Sequence, residues 1–128
     1  MANQLPKDKI TQKINLSLKE PIELDALCSL IETNLADAKG LAIKKFTVSE
    51  QSSLCDYVVI ATGTSNRHVA AMAKKLITTL KKSDHLSHLT IKSEGLKEGV
   101  WVVIDLGAII VHLLQNEARE YYRLDELY

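Results

Sequence analysis

Residues 58–71 read VVIATGTSNRHVAA: an apolar run, then Gly63, Thr64, Ser65 and Asn66, then a helical pattern. A strand, a loop of small residues and a helix N-terminus can hold a phosphate, because the first N–H groups of a helix lack partners within it and carry partial positive charge. Nucleotidyl transfer would also need closely spaced carboxylates to bind the metal ions that clamp the transferring phosphate. Asp56 and Asp105 lie at ends of two apolar runs that can bring them together in a sheet, but two isolated acids are a weak pattern: no Asp-x-Asp follows the loop, and the first acid after Ser65 is Asp84. The loop also lacks the second glycine pair of GxGxxG and the Gly-Lys-Ser/Thr of a P-loop. Arg67 stands where the closing glycine of GxSxG would be. Ser65 or Asn66 is therefore read as an N-cap of the next helix.

Other reactive side chains give weaker patterns. His85 and His88 share a polar loop without Cys or a carboxylate at ligand spacing, so no metal site is expected there. His112 sits inside an apolar run and reads as a hydrogen-bonded histidine of the core or its rim. Neither Cys28 nor Cys55 has an evident His partner, which leaves nucleophilic catalysis without support. The end of the chain is more telling: Trp101, Asp105, Arg119, Tyr121, Tyr122, Arg123 and Tyr128 combine the types that anchor protein interfaces. The tyrosines could equally pack a last helix onto a sheet. Trp101, at the start of a strand, is the better interface candidate.

The elements that must position these groups follow from periodicity. From Pro21, the residues Leu24, Leu27, Cys28, Ile31 and Leu35 recur at helical spacing, with Gly40 at the exit. Residues 41–48 are β-prone, and SEQSS forms a loop. Residues 56–62 are apolar almost throughout, as in a strand covered on both faces in the middle of a sheet. A stripe of Val69, Ala70, Ala73, Leu76, Ile77 and Leu80 predicts a helix over about 66–82. A short strand at 89–93 follows, then strands 100–105 and 108–114 joined through Leu106-Gly107 as a hairpin, then a helix over 117–122. The order α-β-β-α-β-β-β-α predicts a single α/β domain with a mixed, mostly five-stranded sheet flanked by helices, over residues 20–128. Residues 1–19 are polar and aperiodic and read as a mobile lead.

With 128 residues and 46% hydrophobic composition, the chain suits one core. Sixteen basic and sixteen acidic residues cancel, so nucleic acid is not the default partner and a shallow salt dependence of binding is expected. Charge is uneven locally: residues 51–100 hold seven Lys/Arg against four Asp/Glu, and residues 101–128 two against five. That unevenness is read as solvated surface. The longest apolar runs are far below the roughly 18 residues a membrane helix needs. Without a secretory h-region, the cysteines read as reduced thiols in a cytoplasmic protein with no membrane partner.

Taken together, Asp56-Tyr57 with VVIATGTSNRHV, Ser93-Glu94-Gly95, Trp101 with VVIDLG, IIVH at 109–112, and REYYRLDELY at 119–128 resemble, in order, the ribosomal silencing factor family, also called Iojap-related proteins. The likeness covers roughly residues 22–128. It implies a factor, not an enzyme and without cofactor, that binds protein fourteen of the large ribosomal subunit, blocks subunit joining and lowers translation when nutrients are scarce. It also implies a nucleotidyltransferase-like core stripped of catalytic acids. By position in these motifs, the interface roles fall to Trp101, Asp105 and Leu106, and then to Glu94 and Arg119. The chain departs from the family pattern at Ala108, where Asp is usual, and at Tyr128, where Trp is usual. Ribosomal RNA contact through Lys74, Lys75, Lys81 and Lys82, and homodimerisation of the free protein, stay open. Two competing readings are a nucleotidyltransferase-like enzyme using Asp56 or Asp105 with Ser65, and a homodimeric scaffold built on the aromatic end.

Overall fold

The structure, a computed structural model, describes residues 23–48, 55–86 and 88–128. The expectations for residues 1–22, for the SEQSS loop and for Pro21 lie outside the described residues.

Helix α1 (Leu24–Asp37) buries Leu27, Cys28, Ile31, Asn34 and Leu35, one face at helical spacing. It ends with Lys39 in the left-handed region at φ 70° and the Gly40 N–H bonded to the Leu35 carbonyl at 2.8 Å. This is a Schellman closure with lysine, not glycine, in the left-handed position. Gly40 is required for a different reason: a Cβ there would stand 2.8 Å from Met72 Cε and 2.9 Å from the Leu35 carbonyl oxygen.

Strands β1 (Leu41–Thr47) and β2 (Tyr57–Gly63) pair antiparallel, with a bulge between Leu41 and Lys44 where Ala42 takes φ 49°. Helix α2 (Asn66–Lys82) buries Val69, Met72, Ala73, Leu76 and Leu80 and begins at the predicted residue. A single 3₁₀ turn at Asp84–Leu86 then leads to β3 (Lys92–Glu94). The strand expected at 89–93 is thus shorter and later. Leu89 and Ile91 pack on the core without strand partners, and pairing starts only where Lys92 meets Asp105. Strands β4 (Trp101–Asp105) and β5 (Ile109–Gln115) form the predicted hairpin. Helix α3 (Asn116–Tyr121) follows, then Arg123 at φ 51° and a 3₁₀ turn at Leu124–Leu127.

The sheet order is β1-β2-β5-β4-β3, parallel only between β2 and β5. Alternation divides its residues between two faces. Val59, Ala61, Val102, Ile104, Ile109, Val111 and Leu113 meet α1 and α2 in the main core. Val58, Ile60 and Leu114 on the other face are covered only by a smaller cluster that includes Leu124, Phe46, Trp101 and Ala118. This explains why β2 is buried from Val58 onward: it lies inside the sheet and is covered from both sides, as its unbroken apolar sequence predicts. The second face is roofed toward β1 and β5 and left open along β3 and β4.

Candidate functional site

The loop after β2 is closed upon itself. Ser65 Oγ accepts the His68 N–H at 3.0 Å, as an N-cap does. Asn66 Oδ1 accepts a hydrogen bond from Gln115 Nε2, and His68 Nδ1 accepts the Thr64 N–H at 2.9 Å. With Nδ1 an acceptor, the neutral ring carries its proton on Nε2 and donates it to the Ala38 carbonyl at 2.8 Å, tying the loop to the end of α1. Asp56 and Asp105 sit at the opposite end of the sheet, since Tyr57 pairs with Ile109 and Asp105 with Ile110. Asp56 precedes β2 and Ser65 follows it, which puts a strand of about 20 Å between them. Ser65 therefore does not meet Asp56 or Asp105, the grouping that the nucleotidyltransferase-like reading needs.

The open sheet face does assemble several of the candidate residues. Along β4, Trp101, Val103 and Asp105 point to that face by strand alternation. On β3, Glu94 stands opposite Val103, and Lys92 opposite Asp105. A hollow of about 210 Å³ lies between them, lined by Lys92, Ser93, Glu94, Val103 and Asp105. Asp105 also builds the hairpin turn, accepting the Gly107 N–H on Oδ1 at 2.8 Å. Gly107 there adopts φ 87°, which glycine reaches without strain.

Trp101 is braced from below and from the side. Its indole Nε1 donates to His112 Nδ1 at 3.1 Å. The neutral imidazole therefore holds its proton on Nε2, which faces the Tyr128 hydroxyl at 3.2 Å. Burial depresses the His112 pKa below its ordinary value and so favours this neutral form. Burial also raises the Tyr128 phenol, with the nearby Cys55 adding to the shift. The Tyr122 ring lies 5.1 Å from the indole and that of Tyr121 4.9 Å from Tyr122, while Phe46 closes the cluster 6.1 Å from Tyr128. The tyrosines thus do both things the sequence allowed: Tyr128 reaches back to His112 and Phe46 and Tyr122 to Trp101, while all of Tyr121, Tyr122 and Tyr128 keep an exposed side.

Arg119 and Leu106 do not join this surface. Leu106 is 5% exposed and belongs to the main core. Arg119, also 5% exposed, donates from Nε and Nη2 to both carboxylate oxygens of Asp125 at 2.7 and 2.9 Å. Its Nη1 serves the Ala42 carbonyl and the Thr62 hydroxyl, each at 2.9 Å. One guanidinium thereby joins the β1 bulge, β2 and the C-terminal turn. The hydrogen bonds from Arg119 hold the Asp125 carboxyl below the usual carboxylate range.

Sequence reasoning missed Val103, Lys92, Phe46 and the brace formed by His112. Period-two alternation from Trp101 to Asp105 marks Val103, but nothing local brings Phe46 to Tyr128, since four strands and two α-helices lie between them along the chain. Among the described residues, no helix is long and apolar enough to cross a membrane.

Comparison with known proteins agrees with this architecture. Residues 21–128 match the family model for "Ribosomal silencing factor during starvation". The ribosomal silencing factor RsfS of Haemophilus influenzae is 43% identical over 103 residues, covering 80% of this chain and 98% of that one. A mouse protein named for mitochondrial assembly of the ribosomal large subunit is 32% identical over 83% of this chain and 45% of its own, longer length. A crystal structure of a Chromobacterium violaceum protein superposes with a TM-score of 0.76 at 33% identity, over 84% of this chain and 87% of that one. The chain belongs to the ribosomal silencing factor family, whose members regulate translation.

Proposed function

We propose that this protein docks on protein fourteen of the large ribosomal subunit through the open face of β3 and β4, and blocks joining of the small subunit by the volume it occupies. The observation that carries the reading is the half-buried Trp101, held by His112 and Tyr122 on a surface it shares with Val103, Asp105 and Glu94. A braced aromatic offers buried area with little conformational entropy to lose, and the two carboxylates favour a basic partner. The family match supports a role in silencing, and the mouse relative's name supports the large subunit as its place of action.

An ordinary specific contact of about 800 Å² per partner would suffice for such occlusion. No bond is made or broken, so no cofactor enters the mechanism, and affinity and occupancy alone set the effect. Arg119 acts here as a positioning residue, holding the C-terminal turn that carries Tyr128 to His112. Repression under nutrient limitation and action in the cytoplasm complete the proposal.

The test is sucrose-gradient sedimentation of purified large and small subunits with the protein or its Trp101→Ala variant. The expected result is co-migration of the protein with the large subunit and fewer joined ribosomes, both lost in the variant. A protein that stays at the top of the gradient and leaves joining untouched would overturn the reading.

A further inference from the structure

Helix α2 presents a second surface, turned away from the open sheet face. Its outer residues Arg67, Lys74, Lys75, Lys81 and Lys82 are all exposed, and the helix contains no acidic residue. Among the described residues, none of these five cations is held in an ion pair. Arg67, Lys74 and Lys81 recur every seventh residue and form a row with steps of about 10 Å. A charge sum of zero conceals this row, since screening over about 8 Å makes nearby charges count more than the distant total.

A second element adds to the row. Gly99 packs so tightly on the start of α2 that a Cβ there would lie 2.2 Å from the Asn66 carbonyl oxygen. That contact sets the β3–β4 loop against the helix, and Lys97 joins Arg67 and Lys74 around a hollow of about 420 Å³. Ala70 and Ala71 line the hollow between the cations, so small side chains leave room for a bulky anion, and Glu98 is the one acid there.

We propose that this α2 face binds the phosphodiester backbone of RNA, the hollow between Arg67, Lys74 and Lys97 seating a phosphate. A row of cations at regular steps matches a regularly charged polyanion. The exposed residues between the cations are Ala71 and Thr78. A membrane-surface helix needs a large apolar side chain among its outer residues, and this face offers none. The choice of RNA rests on the ribosomal role proposed above, with the two surfaces on opposite faces of the sheet, one for a protein and one for nucleic acid. The shallow salt dependence expected from net charge would then hold for protein docking and not for this face.

The experiment measures fluorescence anisotropy of a labelled RNA duplex of arbitrary sequence with the isolated full chain, over a series of KCl concentrations. The wild type is expected to bind with a log–log salt slope of about −2 to −3, the signature of three phosphate contacts. The triple variant Arg67→Gln, Lys74→Gln, Lys97→Gln is expected to lose about tenfold or more in affinity at low salt and most of that slope. Gln suits an exposed helix, and an unchanged circular dichroism spectrum and Tm establish that the fold persists. Trp101→Ala is expected to bind the duplex as the wild type does, so failure of subunit docking and failure of this proposal are told apart. No binding to the duplex, or equal binding by the triple variant, would overturn it. Binding to phosphatidylserine vesicles as tight as to RNA would overturn the assignment to nucleic acid.

Discussion

The indole N–H of Trp101 is spent on His112, at 3.1 Å, so the residue best placed to bury area against a partner keeps its polar handle inside the fold. The consequence is that the proposed docking face depends on the protonation of a histidine that is buried beneath it. A protonated His112 would turn an N–H toward the indole N–H, two donors with no acceptor between them.

The pH dependence of stability follows from that arrangement. Because burial lowers the His112 pKa from its ordinary 6.5, the unfolded chain binds a proton below that value while the folded chain resists it. The stability involved is whole above 6.5 and is lost as pH falls through the lowered folded value. Thermal melts across that interval should show Tm declining with acidity in the wild type and a flatter profile in His112→Gln. Equal slopes in the two proteins would refute the assignment.

Arg119→Met should be among the more damaging single changes. It leaves the Asp125 carboxylate with Lys44 at 3.7 Å in place of its two guanidinium bonds, and the Ala42 carbonyl and Thr62 hydroxyl without their donor. Breaking one side of a buried pair costs about 3 kcal/mol, here equivalent to a Tm loss of about 10 °C. Asp125→Asn should cost less, since the Asp125 side chain is partly exposed and solvent screens the change. Chemical denaturation would rank the two.

Asp105→Asn separates charge from architecture. An asparagine Oδ1 can still accept the Gly107 N–H, so the turn should survive with Tm nearly unchanged. If Asp105 meets a basic residue of the ribosomal protein, affinity for the large subunit should fall by about tenfold. Quantitative co-sedimentation reads that loss, and undiminished binding would confine Asp105 to the turn.

Ser65→Ala should cost about 1 kcal/mol through loss of the cap to His68, with no change in subunit co-sedimentation. A loss of ribosome binding at unchanged stability would instead give the loop a binding role.

Much of the fold was legible because it is written in local periods. The stripe on α2 and the Ser65 cap predict that helix's start and end, and the unbroken apolar run of β2 predicts its interior place. The exception is β3, whose three residues become a strand only where β4 supplies partners. Ordered motifs likewise identified the family, and alternation along β4 suffices to put Trp101 and Asp105 on one face.

The sequence by itself therefore determined the elements, their order and the chemistry available at each position, because helix and strand periods, caps and turn residues act over a few residues. Tertiary structure alone decided which candidates reach a surface. It sank Leu106 into the core and turned Arg119 inward onto Asp125, Ala42 and Thr62, partners that are between 6 and 77 positions away along the chain. It also set His112 beneath Trp101 and brought Lys97 to α2. Contacts between distant segments depend on the register and packing of the whole sheet, which no local pattern contains.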